Sequence, residues 1–184
     1  MPAGLRMPAQ LRERTVMLHR KVGKQHMESA KEAILREVKR LRRETESDFA
    51  GLGLLDPASR RVTWRVVVGS VSSRTPNMTQ RPSVGLLGMA IRSGTPVCFD
   101  PSRPGAERAR IEDPILLAEG LAAAVFLPVR TGSEIVGVLL LGRRLTKDYT
   151  DAEIARAVRG IKALGAQEEW WRELSAEAAG WPKR

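Results

Sequence analysis

The stretch SVGLLGMAIRSG, residues 83–94, is the part of the sequence around which the other segments are arranged. It predicts a loop that becomes a short helix, with a glycine at the helix entrance and Gly94 as the residue that ends it. The first N–H groups of a helix lack partners inside the helix, and aligned peptide dipoles place partial positive charge there. Gly85 allows a small anion to approach those groups closely. The stretch therefore predicts an anion site made of backbone amides, with an ordinary loop-to-helix junction as the alternative.

The composition is that of one folded domain with extensions. Of the 184 residues, 42% are hydrophobic, which is enough for the chain to bury a core of its own. No apolar run of about twenty residues could span a bilayer, and no apolar signal-peptide segment follows the basic N-terminal residues. Cys98 is the only cysteine, which is typical of a protein from a reducing cytoplasm. We therefore expect a cytoplasmic protein without a membrane segment, with Cys98 buried in a short strand.

The net charge of +10 is concentrated near the N-terminus, where residues 1–43 contain twelve Lys or Arg against four Glu. Such charge is most simply the solvated side of terminal helices, although it could attract an acidic protein or nucleic acid. No aromatic residues are interleaved with the basic ones for base stacking, and zinc-finger spacing is absent. His19 and His26 have no cysteine or carboxylate partner at metal-binding spacing. The sequence therefore does not favour nucleic-acid binding and predicts no metal site.

Apolar residues at three- and four-residue steps predict a helix before the first strand, with one stripe formed by Met27, Ala30, Ile34, Val38 and Leu41. The stripe needs cover from the domain's own sheet or from the same helix in a second subunit. Residues 49–56 and 61–69 then predict two strands joined by a turn at 56–60, which together form a hairpin. A polar loop over 70–82 leads to the glycine-led helix.

The second half of the chain predicts more strands and two more helices. Asp113 followed by Pro114 is typical of a helix start, with the acid as its N-cap. The predicted elements, in order, are a strand at 95–99, a loop at 100–113, a short helix to about Glu119, strands at 121–129 and 134–142 joined by a hairpin turn, and a final helix from Thr150 and Asp151 toward Leu174.

Antiparallel hairpins with helices at both ends predict an α+β domain, in which a central antiparallel sheet is flanked by N- and C-terminal helices. We divide the chain into a basic, partly disordered N-terminal extension (1–24), the domain itself with its flanking helices (25–165) and a C-terminal helical tail (166–184). Both long loops in the middle of the chain end at a helix N-terminus. Long loops are uncommon in a compact domain unless they build a site.

The order of elements resembles a GAF domain, and three blocks are similar to the nitrate-receptor GAF proteins of the NreA type. The resemblance covers roughly residues 28–165. The blocks are Phe49–Leu52 with Trp64–Gly69; Gly85–Met89; and Asp113–Ile115 leading to Ala122–Val129 and Ile135–Gly142.

This resemblance implies a cytoplasmic receptor, without a cofactor, that binds nitrate and modulates a sensor histidine kinase of a two-component system for nitrate respiration. It implies that nitrate is held by the backbone amides of Leu86 and Leu87 and of Ile115 or Leu116, with Trp64 as a wall of the cavity. Nitrate is planar and weakly hydrated, so an apolar cavity with a few convergent N–H donors suits it. At position 87 the family usually has alanine, so Leu87 could narrow the cavity.

Catalysis is not expected, because no candidate base stands beside a serine or cysteine nucleophile. The alternative function is a GAF module for dimerisation or scaffolding, with a basic helix that contacts DNA or an acidic protein. In either case the terminal helices could pair in a homodimer. Without the resemblance, Trp64 would be read as a core aromatic residue, and Arg74 as either an exposed loop residue or a counter-ion for an acidic ligand.

Overall fold

The apolar runs of the sequence form a six-stranded antiparallel sheet in the computed structural model, which describes residues 31–76, 78–166 and 171. The strand order across the sheet is β3-β2-β1-β6-β5-β4. The strands are β1 (Phe49–Asp56), β2 (Arg61–Val68), β3 (Thr79–Gln80), β4 (Val97–Phe99), β5 (Ala123–Thr131) and β6 (Glu134–Arg143). The two predicted hairpins, β1–β2 and β5–β6, are therefore confirmed, and β1 pairs with β6 to join them.

Helices cover both faces of the sheet. The helices are α1 (31–44 within the described residues), α2 (Gly85–Ser93), α3 (Ala106–Glu112), α4 (Pro114–Ala118) and α5 (Asp151–Gly165). One buried cluster joins α1 and α5 to one face, and a second joins α2 and α4 to the other. The predicted α+β class, with terminal helices flanking a central antiparallel sheet, is confirmed.

The predicted stripe of the first helix packs onto the sheet. Ile34, Val38 and Leu41 are buried in the same cluster as α5, so the domain's own sheet covers them. Met27 and Ala30 lie outside the described residues, as do the predicted extension at 1–24 and all of the predicted tail at 166–184 except 166 and 171. The structure therefore gives no account of these segments.

Helix α2 has the bounds that its glycines predict. Gly94 adopts the left-handed conformation (φ 65°), and its N–H donates to the Ala90 carbonyl, so it ends the helix as expected. Helix α5 starts at a capping box, in which Thr150 and Glu153 satisfy each other's backbone N–H groups.

Three expectations about local structure are wrong. The loop predicted over 70–82 contains β3 (Thr79–Gln80), which pairs with β2. Residues 106–112, predicted as loop, form α3, because Ala, Glu and Arg favour a helix once Gly105 has ended the preceding loop. Cys98, expected to be buried, is exposed. Its strand β4 lies at the edge of the sheet, where Phe99 points into the core and its neighbour Cys98 therefore points outward.

Trp64 packs against two positions of β1 that are occupied by glycine and therefore carry no side chain. It lies opposite Gly53, beside an irregularity in the register of the two strands. A Cβ at Gly51 or at Gly53 would come within 3.1 or 3.2 Å of the indole ring. The two glycines therefore make the space that the largest buried side chain of the sheet occupies.

We predict that Gly53→Ala destabilises the domain by about 1–3 kcal/mol, because the added methyl overpacks a filled core. The new carbon would lie 2.5 Å from Val62 Cγ1 as well as against the indole of Trp64. Urea unfolding followed by circular dichroism measures the loss. Ser133→Ala in the exposed β5–β6 turn is the control and should change the free energy of unfolding by less than about 0.5 kcal/mol. Equal stabilities of the two variants would contradict the packing argument.

Candidate anion-binding site

The first amides of α2 hold a buried carboxylate. The Leu86 N–H donates to Asp113 Oδ2 at 2.6 Å, and the Leu87 N–H lies 3.4 Å from Oδ1. Val84, the N-cap residue, supplies no side-chain hydrogen bond of its own. The Asp113 carboxylate therefore takes the place of a cap at the positive end of the helix.

Gly85 is the residue that allows this close approach. Its backbone is left-handed, with φ 68°, and a Cβ at this position would overlap the Asp113 carboxylate. Both observations require glycine at the helix entrance. The sequence correctly indicates that an anion can come close to these amides, and in this structure the anion is a side chain of the same chain.

Asp113 serves a different helix from the one expected. It occupies the N-cap position of α4, but its side chain makes no capping bond there. Only its backbone carbonyl serves α4, by accepting from the Leu116 N–H at 2.9 Å. One residue thus ties the start of α4 to the start of α2.

Burial raises the pKa of Asp113 to about 6, against the lowering effect of the Leu86 and Leu87 N–H groups. Its side chain is almost fully enclosed, with 1% of the residue exposed. A carboxylate in an apolar setting loses hydration, which favours the protonated form. At neutral pH the group is therefore mostly charged, yet easier to neutralise than an ordinary aspartate.

A second polar pair lies on the same face of the sheet. Trp64 is fully buried, and its Nε1–H donates to Gln80 Oε1 at 2.8 Å. Gln80 Nε2 is also buried and has no hydrogen-bond partner within the described part of the chain. Because the indole can only donate, it fixes the amide with its oxygen toward Trp64 and its NH₂ away. An unused buried donor thus stands beside the indole.

The structure brings the five predicted ligand residues into one apolar cluster. Leu87, Ile115 and Leu116 are buried there with Trp64, and Leu86 packs against them half-buried. Three of the four predicted amide donors are engaged by Asp113, two through its carboxylate and that of Leu116 through its carbonyl. Their role toward nitrate stays a prediction. Arg74 is exposed in the loop after β2.

Glu119 is a buried carboxylate that sequence reasoning missed. It follows α4 and is fully enclosed. It accepts hydrogen bonds from Ser70 Oγ at 2.5 Å, from the Val71 N–H at 2.9 Å and from Thr75 Oγ1, and it pairs with Arg144 at 3.3 Å. The residue therefore pins the long loop after β2 to the end of α4. A glutamate at the end of a short helix gives no local sign of such partners.

Neither a metal cluster nor a membrane-spanning helix is found in the part of the chain that the structure describes. No three His, Cys, Asp or Glu side chains come together there in a way that could hold a metal ion. No helix in that part is long and apolar enough to cross a bilayer. His19 and His26 lie outside the described residues.

We predict that the stability of the domain rises by about 1 kcal/mol when the pH falls from 7 to 5, relative to an Asp113→Asn variant. The pKa of Asp113 is near 6 in the folded state and 3.8 for the ordinary group, so the folded state binds the proton more readily in this range. The stabilisation is complete below the unfolded pKa and is lost as the pH rises through the folded one. Urea unfolding of both proteins at each pH measures it, and parallel pH profiles would show that Asp113 is not the group responsible.

The chain is similar to GAF domain proteins of known structure. The mutated NreA protein from Staphylococcus aureus, described as altered in its nitrate binding site, is 26% identical, with 68% of this chain and 98% of that chain covered at a TM-score of 0.57. The hypothetical protein SA1058 from S. aureus is 25% identical, with 62% and 95% covered at 0.55. The GAF domain of a phosphoenolpyruvate-protein phosphotransferase from Coxiella burnetii is 20% identical, with 85% and 91% covered at 0.65.

No curated protein sequence matches the chain. The profile of the GAF domain family matches residues 25–159, which is most of the chain and includes every residue of the site described above. The six-stranded antiparallel sheet with helices on both faces agrees with that match. The chain therefore belongs to the GAF domain family.

Proposed function

We propose that this GAF domain is a nitrate receptor that acts through protein contacts, and that its partner is a sensor histidine kinase of a two-component system. The observation that carries the proposal is the carboxylate of Asp113 on the amides of Leu86 and Leu87. A carboxylate and a nitrate ion are both planar, carry one negative charge and accept hydrogen bonds through oxygen. A pair of amides that holds the first is suited to hold the second.

The surroundings favour a weakly hydrated anion over a strongly hydrated one. The buried side chains of the surrounding cluster include Trp64, Leu87, Ile115 and Leu116, which cannot replace the hydration shell of a sulfate or phosphate. The free NH₂ of Gln80 adds a neutral donor on the same face. A small apolar site with neutral donors suits nitrate.

The Asp113 carboxylate occupies the two amides of α2, so it must give up these hydrogen bonds before nitrate can bind there. Two anions on the same pair of amides repel each other, so nitrate binds when the carboxylate is protonated or swings away. The raised pKa of Asp113 lowers the free-energy cost of the first route. The receptor we propose therefore exchanges an internal anion for an external one, and by the first route binding is coupled to the uptake of a proton.

The similarity to NreA supports the ligand and the receptor role, since the similar S. aureus protein is described by its nitrate binding site. The kinase partner and the cytoplasmic location come from the same family resemblance. The rate of autophosphorylation of each soluble sensor histidine kinase of the source organism, with and without this protein and nitrate, tests the regulatory half. A nitrate-dependent change for one kinase is the expected result.

We predict that nitrate raises the melting temperature of the protein more than chloride, nitrite or sulfate does, and more at pH 5.5 than at pH 7.5. Asp113→Asn should bind nitrate about tenfold more tightly at pH 7.5, because the competing charge is gone. Its nitrate affinity should depend little on pH. Thermal-shift and calorimetric titrations measure both effects.

Indifference of the wild type and of Asp113→Asn to all four anions would remove the receptor proposal. It would favour the alternative of a GAF module for dimerisation or scaffolding. Tighter binding of sulfate than of nitrate would also count against the site, because the apolar walls could not favour the more hydrated ion.

We further predict that Gln80→Leu weakens nitrate binding by about fivefold to tenfold, because it removes the free donor beside Trp64. Thr79→Ala, at the exposed neighbouring position of the same strand, is the matched control and should leave the affinity unchanged. Trp64→Phe keeps an aromatic ring at this position but removes the hydrogen bond to Gln80. It therefore tests the Trp64–Gln80 pair by changing its other member. Equal nitrate affinities of the Gln80→Leu variant and the wild type would exclude Gln80 from the site.

A further inference from the structure

A groove on the outer side of α2 indicates a second anion-binding site. The groove has a volume of about 720 Å³ and lies between the β1–β2 turn and the segment that leads into α2. None of the five residues predicted to bind nitrate lines it. Its volume is within the range of small-molecule sites, roughly 300–1,000 Å³.

Four arginines line this groove: Arg60, Arg61, Arg81 and Arg92. All four are exposed, and they come from the turn, from the start of β2, from the residue after β3 and from the last turn of α2. Arg60, Arg61 and Arg81 form no ion pair with the residues that the structure describes. Four like charges around one hollow repel one another, and a bound anion relieves that repulsion.

The one carboxylate in the lining, Asp56, offsets only one of these four positive charges. Both oxygens of Asp56 are used by its own turn, where they accept from the Ala58 N–H at 3.0 Å and from the Ser59 N–H at 3.2 Å. Arg92 donates through Nη1 to the Ser83 carbonyl at 2.9 Å, which holds its guanidinium at the groove. The groove therefore has an excess of positive charge and at least one anchored guanidinium.

Four of the six other lining residues are apolar, and the remaining two are Ser59 and Ser83. Leu55 and Ile91 are half-buried, and Pro57 and Pro82 stand on either side. Guanidinium forks bind phosphate in a bidentate manner, and an apolar surface between them accommodates an organic group. We propose that this groove binds an organic di- or triphosphate, with its phosphates on the arginines and its organic part on the apolar surface.

Calorimetric titration of the full chain with ADP, tripolyphosphate and adenosine, at about 0.15 M salt, tests the proposal. ADP and tripolyphosphate should bind, and adenosine should not. The variant Arg61→Gln with Arg81→Gln should lose at least about tenfold in affinity for ADP. The matched control is Arg36→Gln with Arg159→Gln, which removes the same charge from exposed positions on α1 and α5 and should lose less than about twofold.

Equal losses in the two double variants would overturn the proposal, because binding would then reflect only the general basic charge of the chain. Failure of the wild type to bind ADP and tripolyphosphate would overturn it as well. So would binding of adenosine as tight as that of ADP, or tighter binding of a polyglutamate peptide, which would assign the groove to an acidic protein. The groove variant should keep the nitrate response of the wild type, so the two sites are tested separately.

Discussion

The contact between the Asp113 carboxylate and the first amides of α2 is the interaction on which the face of the sheet covered by α2 and α4 depends. It joins two helix starts that are far apart in the chain, and it satisfies donors that would otherwise be left without partners in an apolar cluster. Gly85 makes the contact possible, because any side chain at this position would overlap the Asp113 carboxylate. The contact adds to the apolar packing of α2 and α4 on the sheet.

The same contact balances two opposing effects. Loss of hydration raises the pKa of Asp113, and the amides of α2 lower it. A group held in such a balance can be exchanged more readily than one held by a cationic side chain. In the receptor that we propose, the buried amides need a partner while the ligand is absent, because unpaired buried donors are costly. An internal carboxylate meets that need.

Local patterns predicted the parts of the structure that depend on neighbouring residues. The hairpins follow from apolar runs and turn residues, α2 from its glycines, and the start of α5 from Thr150. Residues 106–112 form α3 although their segment predicted a loop, and the other errors concern long-range contacts. Asp113 followed by Pro114 indicates a helix start but not which helix the side chain serves, and nothing near Gln80 reveals its bond to Trp64. Cys98 is exposed only because its strand lies at the sheet edge.

Helix α4 links two buried carboxylates. Asp113 precedes it and Glu119 follows it, and its five residues extend only about 7 Å. Glu119 holds Ser70, Thr75 and Arg144, so the two carboxylates connect the start of α2 to the loop after β2. In the receptor that we propose, α4 is therefore the element through which a change at Asp113 would reach the loop after β2.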